Sequence, residues 1–163
     1  MKQMKSKAQV LFCVCLASMV LGAGCMPGRN SAEREKGKLQ GIWLLEYQQS
    51  NGKKLPDEKT AKMFHGKMEF ACDAIRYTVE LPGFDFKFVY KLYPDQQPKA
   101  IDLQLTDTSD KRGIGQTFFG IYILESDTLK ICYNKTTRPT GFDAEGKSNN
   151  WLIALKRRPN GQF

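Results

Sequence analysis

Apolar and polar residues alternate along most of this chain after Leu39. The pattern is clearest in Phe84-Asp85-Phe86-Lys87-Phe88-Val89-Tyr90-Lys91. Phe84, Phe86, Phe88 and Tyr90 fall on one face there, and Asp85, Lys87 and Lys91 on the other. A period of two is the mark of a strand with one dry and one wet face. Met68 with Phe70, and Ile101 with Leu103 and Leu105, repeat it. Such segments run from Ile42 to Gln48, Lys67 to Cys72, Ile75 to Glu80, Phe84 to Leu92, Ala100 to Leu105, Thr117 to Leu124, Thr128 to Asn134 and Trp151 to Lys156, eight in all. Turn-forming clusters separate them, among them Asn51-Gly52, Leu81-Pro82-Gly83, Pro94 to Pro98 and Ser126-Asp127. Pro56 to Phe64 departs from the alternation. Asp57 stands where a cap would, and the segment predicts one short helix, with His65 at its carbonyl end. The expected fold is all-β: an eight-stranded antiparallel up-and-down barrel with one short helix. Eight strands closed on themselves either fill with side chains or hold one small ligand, and the large Phe and Tyr side chains favour filling.

The first residues follow another pattern. Lys2, Lys5 and Lys7 precede an apolar run from Ala8 to Leu21, and Gly22-Ala23-Gly24-Cys25 follows it. A cationic start, an apolar middle and small residues at a cut site make a signal peptide. The run is shorter than the roughly 20 apolar residues a membrane-spanning helix needs, so an uncleaved anchor is the weaker reading. The small residues before Cys25 resemble a bacterial lipobox, in which lipid is attached to the cysteine before cleavage. The pattern departs from that motif at Gly22, where a branched apolar residue is usual, and simple cleavage after Ala23 is the alternative. The expected layout is a lipoprotein-type leader over 1–24, a flexible tether over 25–38, a barrel domain over 39–158 and a tail over 159–163. The tether reading rests on the near absence of apolar residues from Met26 to Lys38. The expected location is the cell envelope, membrane-anchored through Cys25 and facing the periplasm or exterior.

Length and charge narrow the classes of function. The chain has 163 residues and a formal net charge of +8, part of which (Lys2, Lys5 and Lys7) belongs to the leader. The remaining bases are scattered among acids, which argues against a nucleic-acid partner. Of the five cysteines, Cys13 and Cys15 lie in the leader and Cys25 is the lipidation candidate. Cys72 and Cys132 either pair in an oxidising compartment or stand as small buried residues. His65 is the single histidine, and no Cys/His spacing suits a metal.

At Leu39-Gln40-Gly41-Ile42-Trp43 the chain resembles the Gly-x-Trp opening of the lipocalin superfamily. In that family the tryptophan closes one barrel end against a basic residue late in the chain. The resemblance implies that Gly41 and Trp43 form the closure with Lys156 or Arg157, where a cation over the ring contributes about 0.5–2 kcal/mol. The wider sequence resembles an uncharacterised, planctomycete-type secreted lipocalin-like domain family. The likeness is carried by the opening motif, Asn51-Gly52-Lys53-Lys54-Leu55-Pro56, Pro98 to Leu103, Gly120-Ile121-Tyr122, Asp127 to Tyr133 and Arg138 to Phe142. It implies fold and export and supplies no catalytic or binding residues.

No Gly-x-Ser-x-Gly elbow, phosphate loop or His-Glu-x-x-His occurs, and no cofactor is implied. Asp85, Asp102, Asp107 and Glu125 form no acid pair that spacing can identify. Asp102 reads as a polar anchor or as an ordinary wet-face strand residue. Arg138-Pro139-Thr140 reads as a loop at the barrel mouth or one clamped by an arginine. The expected function is non-catalytic: binding of a small apolar or amphipathic molecule, with Phe84, Phe86, Phe88, Tyr90, Tyr122 and Tyr133 as candidate ligand-facing residues. The alternatives are a solid barrel that contacts another envelope protein and, behind it, an enzyme.

Overall fold

The computed structural model describes residues 30–55, 65–79, 85–109, 111–146 and 148–159. These residues form one helix, α1 (Ser31–Leu39), and nine strands: β1 (Gly41–Ser50), β2 (Lys53–Leu55), β3 (Gly66–Ala71), β4 (Ala74–Val79), β5 (Asp85–Tyr93), β6 (Ala100–Thr108), β7 (Thr117–Glu125), β8 (Thr128–Asn134) and β9 (Trp151–Arg157). Every neighbouring pair is antiparallel. Because β1 pairs with both β3 and β9, the sheet closes into an eight-stranded barrel, and β2 extends β1 outside the ring. The alternating segments read from the sequence are the barrel strands. The helix expected over Pro56 to Phe64 lies outside the described residues, as does Phe84.

Tight turns set the meander. Asn51 and Gly52 have φ of 51° and 74° between β1 and β2, the left-handed pair that suits a hairpin twisting with its strands. The barrel therefore has two ends. One, here the base, carries the start of β1, the β3–β4 turn and the end of β9. The other, the mouth, carries the end of β1 and the starts of β3, β5, β7 and β9. At the base, Leu39, Trp43, Phe70, Tyr90, Tyr122, Leu129 and Leu155 are buried in one core. Phe70 and Tyr90 meet edge to face at 5.4 Å, a favoured geometry for two ring quadrupoles.

The tether expectation is corrected over 31–38, which is helix rather than linker. The Asn30 side chain accepts a hydrogen bond from the Glu33 amide at 2.8 Å, while Lys36 and Lys38 sit in the last turn against the negative end of the dipole. Low hydrophobicity suggested a linker, but Leu39 and Glu35 dock the helix, with Lys36 on Asp73 and Ser31 on Asp95 at its exposed side. Leu39 is fully buried, and the buried Glu35 carboxylate accepts from Lys38 at 2.8 Å and Lys99 at 3.1 Å. Burial alone would disfavour the Glu35 anion; the hydrogen bonds and charges of Lys38 and Lys99 outweigh it and hold the carboxyl below its usual range.

Outside the barrel, the segment between β8 and β9 lays Phe142 and Ala144 on Ile121, Cys132 and Leu152. Arg138 pins it. One guanidinium nitrogen donates to the Gly120 and Ile101 carbonyls at 2.5 and 3.2 Å, and the other donates to Asp102 Oδ1 at 2.6 Å. Asp102 also accepts from the Tyr93 hydroxyl at 2.9 Å. Asp102 and Arg138, two separate candidates in the sequence, are thus one clamp on the outer wall, not a mouth loop. Cys72 and Cys132 are both free: Cys132 is buried on the outer wall, as the unpaired alternative has it, whereas Cys72 is exposed in the β3–β4 turn at the base. Burial, with the charge of Asp143, pushes the Cys132 thiol up to about 11.

Candidate functional site

The base is sealed by the residues that the Gly-x-Trp resemblance implied, with one choice resolved. Gly41 opens β1 at φ 109°, and Trp43 is fully buried with its ring nitrogen donating to the Leu39 carbonyl at 2.8 Å. The Arg157 guanidinium lies 4.1 Å from the Trp43 ring centroid and donates to the Gln40 and Lys38 carbonyls. Lys156 alternates to the opposite face and is exposed, so Arg157 alone is the partner.

The mouth half is open. A cavity of about 600 Å³ occupies it, within the usual size of small-molecule pockets. This corrects the expectation of a filled interior. The inward rings run side by side along the wall: Tyr77 stacks on Phe86 at 6.3 Å and Phe86 on Phe88 at 6.4 Å, while Phe88 meets Phe118 at 6.2 Å and Phe118 meets Tyr133 at 5.6 Å edge to face. Rings ranked in this way leave the centre of the lumen free. Met68, Ile75, Val79, Leu103, Leu105, Ile131 and Ile153 complete an almost wholly apolar lining.

Few polar groups interrupt that lining. A β-bulge between Leu45 and Tyr47 shifts the face of β1. Trp43 and Leu45 join the core before it; after it Gln48 and Ser50 line the cavity while Tyr47 joins the outer cluster. Inside, the Tyr77 hydroxyl donates to Gln48 Oε1 at 2.9 Å. Tyr133 makes no hydrogen bond among the described residues, so its hydroxyl is available to a ligand. Burial pushes both phenols up, so each stays a neutral donor at neutral pH. At the rim stand Ser50, Lys53, Leu55, Lys135 and Trp151. Lys53 and Lys135 are the two charged residues of the lining, and neither is ion-paired among the described residues.

Of the candidate ligand-facing residues, Phe86, Phe88 and Tyr133 line the cavity. Tyr90 and Tyr122 do not. Tyr90 is tied at the base, its hydroxyl donating to the Cys72 carbonyl at 2.9 Å and accepting from Gln40 Nε2 at 3.2 Å. Tyr122 is buried in the base core, where burial and the charge of Glu35 push its phenol up. Tyr77, Gln48, Lys53, Lys135 and Trp151 were not singled out as ligand-facing from the sequence. Tyr77 shares strand parity with Ile75 and was legible in principle. Lys53 and Lys135 lie beside turns, where alternation carries no signal, and Gln48 faces inward only because of the bulge.

Among the described residues no carboxylate lines the cavity, and no three His, Cys, Asp or Glu side chains come together as a metal cluster. Asp85 is paired with Arg76 at 2.7 Å, and Asp107 is held down to about 2 by Lys111 and Lys87. No helix among the described residues is long and apolar enough to cross a membrane. No family model, curated protein or solved structure matches this chain.

Proposed function

We propose that this protein is a non-catalytic binding domain that takes a small amphipathic molecule into the mouth half of its barrel, apolar body inward and polar end toward Lys53 and Lys135. The observation that carries the reading is the apolar cavity of about 600 Å³ with two lysines at its rim that are not ion-paired among the described residues. Apolar lining drives entry at about 25 cal/mol per Å² removed from water, while a few placed polar groups fix orientation. The leader-like start and Cys25 support export and lipid attachment, and the same protein taken from its host would show the acyl mass in intact mass spectrometry. The sequence likeness to lipocalin-like secreted domains supports the barrel fold and export.

The test is titration of the full chain with a fluorescent long-chain carboxylate. Saturable uptake is expected, and Phe88→Trp, which adds bulk at the cavity wall, should weaken it at least about tenfold. Uptake that does not saturate, or that is equal in the filled variant, would overturn the reading.

A further inference from the structure

Among the described residues six large apolar side chains are exposed: Leu44, Val89 and Ile123 stand on β1, β5 and β7 of the wall, and the other three share one end of the barrel. Leu55 is 36% exposed, Ile114 49% and Trp151 42%, and all three belong to the mouth. Leu55 and Trp151 line the cavity opening. Ile114 sits in the β6–β7 turn, which folds back on Leu105: the Gly115 amide donates to the Leu105 carbonyl at 2.8 Å, and the Leu105 amide donates to the Gln116 carbonyl at 2.9 Å. The position of a side chain at Gly113 would lie 3.6 Å from the Leu105 methyl that faces the cavity wall. The tip of this turn therefore belongs to the rim.

Lysines accompany these apolar tips. Lys53 and Lys135 line the opening without an ion pair among the described residues. Lys54 follows Lys53, its ammonium 3.9 Å from the Tyr47 ring centroid. Asp107, a rim-side acid, is already neutralised by Lys87 at 3.0 Å and Lys111 at 2.6 Å. An exposed tryptophan, two exposed aliphatics and cations on long stems around an apolar cavity are complementary to one kind of surface. Trp suits the boundary between headgroups and acyl chains. Lysine stems lie along apolar surface while the ammonium reaches phosphate. Each cation near an anionic leaflet contributes about 1 kcal/mol.

We infer that the mouth rim is a docking face for an anionic lipid bilayer, through which the cavity exchanges its ligand with the membrane without passing it through water. Leu55, Ile114 and Trp151 enter the headgroup boundary, and Lys53 and Lys135 meet lipid phosphates. The inference rests on the cavity being the ligand site, and the two can fail separately.

The chain has two tryptophans, and Trp43 is fully buried at the base, so a change of emission on docking reports Trp151. The experiment adds the full chain to phosphatidylcholine vesicles, with and without phosphatidylglycerol, and follows emission and quenching by brominated acyl chains. A blue shift with quenching is expected on the anionic vesicles and a much smaller one on the neutral vesicles. Ile114→Glu, which lies outside the cavity lining, should weaken anionic-vesicle binding at least about tenfold while leaving uptake of the fluorescent carboxylate in solution unchanged. Phe88→Trp should do the reverse, losing uptake while co-sedimenting with anionic vesicles as before. Co-sedimentation with Trp151 still in water would mean attachment through another segment and would overturn the inference. A blue shift that appears without vesicles and grows with protein concentration would overturn it in favour of mouth-to-mouth pairing of two copies.

Discussion

Arg157 lies 4.1 Å from the centre of the Trp43 ring and holds two carbonyls of the α1 exit, so one side chain ties the first strand, the last strand and the helix. Removing it by Arg157→Ala should cost about 1–3 kcal/mol, read as a lower urea midpoint, because two carbonyls lose a charged donor along with the ring contact. Glu35 offers a pH test at the same end. Its carboxyl is held below the usual carboxylate range in the folded state, so its contribution is complete above that range and is lost as pH falls through the folded value. Urea midpoints of wild type and Glu35→Gln should therefore differ at neutral pH and converge in acid; parallel curves would refute the assignment. Gly120 is crowded by backbone. A side-chain carbon there would lie 3.0 Å from the Cys132 carbonyl oxygen and 3.1 Å from Ile101, so Gly120→Ala should destabilise the barrel by about 1–3 kcal/mol in the same assay.

Elements were legible to different degrees, for physical reasons. The strands could be read because each presents one dry and one wet face, and the period-two pattern records that directly. Phe86, Phe88 and Tyr90 on β5 share an inward face as their spacing implies, with Phe86 and Phe88 on the cavity and Tyr90 in the base core. What alternation cannot record is a bulge, and the one in β1 determines that Gln48 faces inward and Tyr47 outward. The helix α1 escaped because its stability comes from a cap, a dipole and a buried charge, not from an apolar stripe. Asn30→Ala removes that cap and should cost about 1 kcal/mol of stability while leaving ligand uptake unaffected.

For the molecule as a whole, the number of inward rings said little about whether the interior is full. Rings that stack side by side along a wall and rings that meet across a lumen have the same sequence pattern. The barrel divides its labour by height: a dry, tightly bonded base around Trp43, and an open half around Tyr133. Tyr133→Phe removes a hydroxyl of the lining that makes no hydrogen bond among the described residues, and should lower affinity for a long-chain carboxylate about three- to tenfold, with no effect on its uncharged hydrocarbon analogue. The helix that leads into β1 is packed at the base, so the chain enters the barrel on the side away from the mouth. A barrel held at Asn30 would be gripped by its foot, with its lips some 20–30 Å away. A barrel so held is a spacer as much as a container, reaching from the surface that carries it toward whatever stands opposite.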